Sequence, residues 1–193
     1  MTNFDTGARF SAESFIYELQ LEQLRHDESF HKDVVILPLA ERVKHMALHN
    51  GKYVGYFFEA DDDDRFATVL TDAFIITLAT ANTLNQDLGK SLSEDWATIS
   101  GLADVPYPHP PGRDGFIKAY AIAAGLLSKA CESWDHLEMA PFNSMMRESN
   151  LSLFRIVVGY AAATKLDIVD SYRKRLRFIE QRSIFHRSLV NRG

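Results

Sequence analysis

Apolar residues recur every three to four positions along most of the chain, and strand-like alternation is nearly absent. This spacing places the apolar side chains on one face of an α-helix. Ser11 is a suitable N-cap for a first helix, and a second apolar stripe begins after Pro38. An aspartate-rich bend at 61–64 ends that stripe, and a third continues until shortly before Gly89. The pattern predicts an all-α protein built as a helical bundle.

A proline-rich segment divides the chain into two halves. Residues 104–114 contain four prolines and a glycine, which predict a rigid connector and exclude a regular helix or an interior strand. Before it, Ser91 and Glu94 form a potential capping box for a short helix. We expect an N-terminal half at 1–103 and a C-terminal half at 115–193, packed as one globular unit. In the second half, helices are predicted over 116–138, over 143–166 and from Val169 onward.

The two halves echo each other. Each contains a helix, a turn and a second helix with a similar ending, ANTLNQDL at 81–88 and AATKLDI at 162–168. Two tandem helical hairpins from an internal duplication would explain this echo. A chance similarity between two hairpins of similar length would explain it as well, so both explanations stay open.

Composition narrows the class of function. The net charge of -5 argues against a general nucleic-acid-binding protein, which needs a dominant basic surface. The single cysteine, Cys131, excludes an intramolecular disulfide and favours a reducing compartment, and we expect it to be a buried thiol. The N-terminus lacks a signal-peptide pattern, and no apolar run approaches the ~20 residues of a membrane span. We expect a cytoplasmic protein with no membrane or nucleic-acid partner.

The helix pair around the aspartate-rich bend carries the strongest candidate for chemistry. His45 and His49 are four residues apart, so a helix presents both on one face, and Lys52 follows on the same side. Asp72 lies among apolar residues, where a carboxylate is costly to bury unless it is paired or bound to a metal. These residues predict a metal or phosphate site. The structural alternative is a hydrogen-bonded seam in which Asp72 accepts from a histidine.

The remaining candidates are weaker. Glu132 and Glu148 could hold Mg²⁺, although carboxylates at solvated helix ends are common. Arg173 and Arg177, on the basic terminal helix, are candidates for phosphate binding, unless that helix only docks on an acidic body. The dipeptide at 26–27, His-Asp, matches another all-helical phosphohydrolase class. That class also needs a histidine well upstream and none precedes position 26, so we exclude it.

The first half resembles the core of the all-α nucleoside triphosphate pyrophosphohydrolases, the MazG-like and dimeric dUTPase group. The resemblance rests on RVKHMALHNGKYVGYF at 42–57, the acidic bend, and LTDAFIITLATANTLNQDL at 70–88. The tail DIVDSYRKRLRFIEQR at 167–182 is similar to the closing basic helix of many members. The resemblance implies a MazG-like bundle, metal-dependent hydrolysis of a nucleoside triphosphate with Mg²⁺ or Mn²⁺, and a dimer. The dimer would be a homodimer, or the internal duplication would mimic it.

The metal motifs of that family are only partly present. Its Glu-x-x-Glu motif falls on His49 and Lys52, and its Glu-x-x-Asp motif falls on Val69 and Asp72. In the second half, Glu148 alone keeps an expected residue. A standard Mg²⁺ cluster therefore cannot form in either half by itself, because a lysine and a valine offer no carboxylate.

Three interpretations follow from this partial match. The chain could be a divergent pyrophosphohydrolase whose two halves build one metal centre, with Asp72 and Glu148 as catalytic residues. It could instead bind a nucleotide through Lys52 and arginines without hydrolysing it. It could also be a protein-interaction scaffold. The composite metal centre of the first interpretation would contain His45, His49, Asp72, Glu132 and Glu148.

Overall fold

The computed structural model describes residues 11–183 of the chain. Within that range the protein is helical and has no strand, which confirms the all-α prediction. The α-helices are α1 (Ala12–Phe30), α2 (Lys32–Val35), α3 (Leu39–Glu59), α4 (Asp63–Thr83), α5 (Leu88–Leu92), α6 (Gly112–Asp135), α7 (Phe142–Ala163) and α8 (Ile168–Arg182).

Four long helices form the central bundle. Helices α3 and α4 pack side by side, α4 contacts α7, α7 contacts α6, and α6 returns to α3. Helix α1 lies against α4 and α5, and α8 lies against α4. Because α3 and α4 come from the first half and α6 and α7 from the second, both halves contribute to one core.

Aromatic rings fill the centre of this bundle. Phe57, Phe66, Phe116, Tyr120 and Tyr160 are all buried, and the ring centroids of Phe57 and Phe116 are 4.8 Å apart. Pairs of this kind add to the free energy gained from burying apolar area. The hydroxyl group of Tyr120 donates a hydrogen bond of 2.6 Å to the side-chain oxygen of buried Asn50, which is also in the core. The aromatic cluster therefore fixes α3 and α4 against α6 and α7.

Local capping explains where several helices begin. The hydroxyl of Ser11 accepts a hydrogen bond from the backbone N–H of Ser14, and a carboxylate oxygen of Asp62 accepts one from the N–H of Arg65 at 2.6 Å. Pro38 directly precedes α3. These starts agree with the sequence patterns, because a cap depends on residues within one helical turn.

The sequence prediction of a short helix capped by Ser91 and Glu94 is wrong. Ser91 and Glu94 do not cap a helix; α5 begins earlier, after Asp87, whose side chain accepts from the N–H of Lys90 at 2.8 Å. Trp96 is buried in the irregular segment that follows. The proline-rich connector also ends earlier than predicted, since Gly112 already begins α6.

The two helical hairpins end in turns of the same kind. At the end of α4, Asn85 has a positive φ of 49° and Asp87 caps the next helix; at the end of α7, Lys165 has a φ of 59° and Asp167 caps α8. Both turns lie within the two similar sequence endings. Internal duplication stays a prediction, because a residue with positive φ after a helix is common among unrelated helices.

Helix α4 is apolar and long enough, by length and composition alone, to cross a membrane. It is the most enclosed element of the bundle, and 72% of its apolar window is buried inside the protein. A core helix has the same composition as a membrane span, so this feature does not indicate a membrane.

Candidate functional site

A cavity of about 290 Å³ opens between α1, α2, α3, α4 and α8. We call it the α3–α4 pocket. Four of the residues singled out in the sequence, His45, His49, Lys52 and Asp72, line it together. Helix α4 contributes residues from Asp72 to Thr83, which span about 16 Å of helix, so the pocket is elongated along α4.

The histidine pair lies on α3, one turn apart, with ring centroids separated by 4.6 Å. The Nδ1 atom of His49 is 3.2 Å from the hydroxyl of Tyr53 and 3.3 Å from the ammonium of Lys52. Burial, together with the smaller effects of the nearby Lys52, His45 and His31, lowers the pKa of His49 to about 4. His49 is therefore neutral near pH 7 and accepts hydrogen bonds at Nδ1.

Asp72 is held in an ion pair. The guanidinium of Arg175, on α8, donates from Nε to Oδ1 at 2.6 Å and from the terminal nitrogen to Oδ2 at 2.9 Å. Both carboxylate oxygens are thus engaged by a two-pronged contact, which is the strongest kind of carboxylate–arginine pairing. Among the residues that the structure describes, Asp72 accepts hydrogen bonds from Arg175 and not from the histidine that the sequence suggests.

Cationic side chains outnumber carboxylates around the α3–α4 pocket. Arg42, Lys52 and Arg175 face two acidic residues, Asp27 and Asp72. Arg42 donates to the carbonyl oxygens of Val35 and Leu37, at 2.6 and 3.1 Å, and so fixes the bend before α3. Its Nε atom is buried and has no hydrogen-bond partner within residues 11–183. The pocket is locally cationic in a chain with a net charge of -5.

The inner wall of the pocket is apolar, with amide groups at one side. Ile75, Ile76 and Ala79 of α4 form part of the wall. Gln23 is completely buried; its Nε2 donates to Asp27 at 2.8 Å, and its Oε1 has no partner among the described residues. An apolar wall with a few fixed polar groups is the usual lining of a small-molecule site.

The other predicted site residues lie elsewhere. Glu132 pairs with Lys129 on α6 at 3.0 Å, and Glu148 of α7 borders two separate surface grooves. Arg173 pairs with Glu22 at 3.2 Å, and Arg177 borders a groove near the start of α8. None of these four side chains lines the α3–α4 pocket, so the residues proposed for a composite metal centre are not brought together.

Sequence reasoning missed several pocket residues. Arg42 and Arg175 lie in segments that carry the family resemblance but match none of its motif positions, and Gln23 lies in no motif. Asp27 and His31 did carry a signal, because they are four residues apart, the same spacing that singled out His45 and His49. Both line the pocket, and Asp27 belongs to the histidine–aspartate dipeptide at 26–27 whose phosphohydrolase class the sequence excludes.

The fold and the pocket define an all-α bundle protein with a partly cationic, elongated cavity. No protein-family model, no curated protein and no solved structure matches the chain.

Proposed function

We propose that the α3–α4 pocket binds a small phosphorylated molecule of the nucleotide class, and that the protein is a nucleotide-binding helical module. The observation that carries this proposal is the excess of cations around an apolar cavity: Arg42, Lys52 and Arg175 against Asp27 and Asp72. A ligand that matches this lining has an anionic end and a flat or apolar end, as a nucleotide does.

The residues suggest how such a ligand would lie. Lys52 is exposed, and with neutral His49 as a neighbour it offers ammonium donors to a phosphate. The Nε of Arg42 has no hydrogen-bond partner among the described residues, but it is buried, so a phosphate would reach it only after the side chain shifts. The base would lie along Ile75, Ile76 and Ala79. The Oε1 of Gln23 is also buried and unpartnered among those residues, and it would accept from an amino group only if Gln23 turns towards the pocket.

Binding is favoured over the hydrolysis of a nucleoside triphosphate that the MazG-like resemblance implies, because most of the carboxylates of that family's Mg²⁺ cluster are replaced here. Asp72, the expected carboxylate of the first half, is engaged by Arg175 at both oxygens. Val69, which stands where the same motif has its glutamate, is buried in the core. Divergent pyrophosphohydrolase activity remains the second candidate, because Asp27 and His31 bring other potential metal ligands to the same pocket.

The binding proposal is tested by isothermal titration calorimetry with nucleoside mono-, di- and triphosphates in the presence of EDTA. We expect one of these ligands to bind, and Lys52→Ala to weaken binding at least about tenfold, since one charge-assisted hydrogen bond contributes about 1.5–3 kcal/mol. Lys90→Ala is the matched control, because Lys90 is exposed on α5 and does not line the pocket. If no nucleotide binds, or if both variants lose affinity equally, the proposal is wrong.

The second candidate is tested by a pyrophosphate-release assay with canonical and modified nucleoside triphosphates, first with Mg²⁺ and then with Mn²⁺. Metal-dependent release that is lost in Asp27→Asn and kept in Lys90→Ala would favour the hydrolase, because Asp27 is one of the potential metal ligands on which this candidate rests. Nucleotide binding without release would leave the binding module.

A further inference from the structure

Three potential metal ligands meet where α1 ends. His26 and Asp27 belong to its last turns, and His31 is the residue that follows the helix and caps it. One ligand atom from each of the three residues lies within 4.8 Å of the other two. Asp27 and His31 border the α3–α4 pocket, whereas His26 lies behind them and is buried.

His26 is arranged as a metal-binding histidine would be. Its Nδ1 atom is 3.1 Å from a carboxylate oxygen of Glu180 on α8. Because a carboxylate accepts, this bond places the ring proton on Nδ1 and leaves the lone pair on Nε2. A carboxylate on the second ring nitrogen is the common support for a histidine that binds a metal.

The Nε2 atom of His26 has no hydrogen-bond partner among residues 11–183, although the residue is only 5% exposed. A buried nitrogen of this kind costs free energy unless something binds it. Because Nδ1 already bonds to Glu180, Nε2 is the atom that His26 would offer to an ion in the three-residue cluster. The unpartnered atom is an observation independent of the clustering itself.

Asp27 lacks a countercharge. Its carboxylate accepts from the amide of Gln23 at 2.8 Å, and no lysine, arginine or histidine within the described residues forms an ion pair with it. A half-buried carboxylate without a cation is unfavourable. The carbonyl end of α1 adds partial negative charge at the same place, which also favours a cation.

We propose that His26, Asp27 and His31 bind one divalent first-row transition metal ion of the Zn²⁺ or Mn²⁺ class. Two imidazole nitrogens and one carboxylate oxygen suit such an ion, whereas Mg²⁺ prefers oxygen ligands alone. Three atoms bound to one Zn²⁺ ion lie about 3.3 Å apart, so atoms now within 4.8 Å of one another would move closer by up to about 1.5 Å when the ion enters. Three protein ligands leave coordination positions open towards the α3–α4 pocket.

This metal site differs from the one predicted from the sequence, which contained His45, His49, Asp72 and Glu132. It also stands independently of the nucleotide proposal, because none of its ligands needs a phosphate to be present. Glu180 is a positioning residue: it touches His26 and not the metal.

The test is a titration of the purified full-length chain with Co²⁺, followed by its visible absorption, and with Zn²⁺ by calorimetry, both without nucleotide. We expect one ion per chain. His31→Ala should weaken binding more than the tenfold to hundredfold loss that is typical of a lost outer-shell partner, and Glu180→Gln should cause a loss of that outer-shell size. Asp27→Asn keeps the shape of the side chain and serves as the second ligand variant if His31→Ala does not fold.

Two variants of histidines outside the proposed site serve as controls for where the ion binds. His136→Ala removes an exposed histidine at the end of α6, and His186→Ala removes one that lies outside the described residues. Both should bind Co²⁺ as the wild type does. The proposal is overturned if the wild type binds no ion, if Asp27→Asn and His31→Ala bind as tightly as the wild type, or if His186→Ala abolishes binding.

Discussion

Asp72 illustrates how the partner of a single carboxylate decides its chemistry. The side chains of Asp72 and Arg175 are 20% and 29% exposed, so their ion pair is largely shielded from water. The pair joins α4 to α8 and closes one end of the α3–α4 pocket. Because both oxygens are engaged, Asp72 acts first as a structural anchor for α8.

Removing the cation should therefore destabilise the fold. We expect Arg175→Ala to lower the free energy of unfolding by about 1–3 kcal/mol, less than for a fully buried pair, because Asp72 would be left partly buried and unpaired. Arg177→Ala, an exposed arginine on the same helix, should change it by less than about 0.5 kcal/mol. Urea denaturation measures both variants. Equal effects would mean that the ion pair contributes nothing beyond the helix itself.

The lowered pKa of His49 makes stability depend on pH. The folded protein keeps His49 neutral until about pH 4, whereas the unfolded chain takes up a proton near the ordinary value of 6.5. Stability from this group is therefore present above pH 6.5 and is lost as the pH falls towards 4. The full effect is at most about 3 kcal/mol, and less because His49 is partly exposed.

His49→Gln should reduce that acid sensitivity. Unfolding by urea near pH 7.5 and near pH 5 should give a smaller difference for this variant than for the wild type, by about 1 kcal/mol. His136→Gln, at an exposed position, should behave as the wild type does. A variant with unchanged pH dependence would show that His49 does not carry the effect.

At the scale of the helices, the sequence predicted what depends on neighbouring residues. The caps at Ser11 and Asp62 lie within one turn of the groups they bind, so their patterns were readable. The start of α5 was missed although Asp87 caps it within one turn, because Ser91 and Glu94 offered a competing cap pattern that the structure does not use. Helix periodicity therefore gave the elements, while turn conformations set several of their ends.

The contact between α1 and α5 offers a test at this scale. A Cβ atom at Gly89 would lie 2.4 Å from the backbone oxygen of Glu13, whereas one at Gly51 in α3 would meet nothing within 4 Å. We expect Gly89→Ala to destabilise the protein by about 1–3 kcal/mol through overpacking. Gly51→Ala should stabilise it by about 0.5–1 kcal/mol, since alanine favours the helix. Thermal unfolding of both variants checks the opposite signs.

Over the whole molecule, the candidate site depends on contacts that are distant in sequence. Arg175 is 103 residues from Asp72, and Glu180 is 154 residues from His26. Both partners lie on α8, whose basic stripe the sequence assigned to phosphate binding or to docking. No local pattern reveals such pairs, because they exist only after α8 packs beside α1 and α4. The sequence consequently located the residues of α3 that line the pocket and missed the residues of α8 that close it.

Helix α8 thus supports both proposed sites at once, and the metal ligands Asp27 and His31 border the pocket proposed for the nucleotide. A divalent ion held there would add positive charge to the same pocket. If both proposals hold, metal and nucleotide should strengthen each other's binding, by the same factor in either order.

We expect saturating Mn²⁺ to tighten nucleotide binding about tenfold, which is within the usual range of such couplings. Free nucleotides also bind metal in solution, so the coupling is the difference between the wild type and His26→Gln, both titrated with and without Mn²⁺. His26 is the proposed ligand that does not line the pocket, so this variant should keep the affinity measured in EDTA and lose the metal-dependent gain. An equal Mn²⁺-dependent increase in nucleotide affinity in the two proteins would mean that the ion is bound by the nucleotide alone. The two proposed sites would then not be coupled.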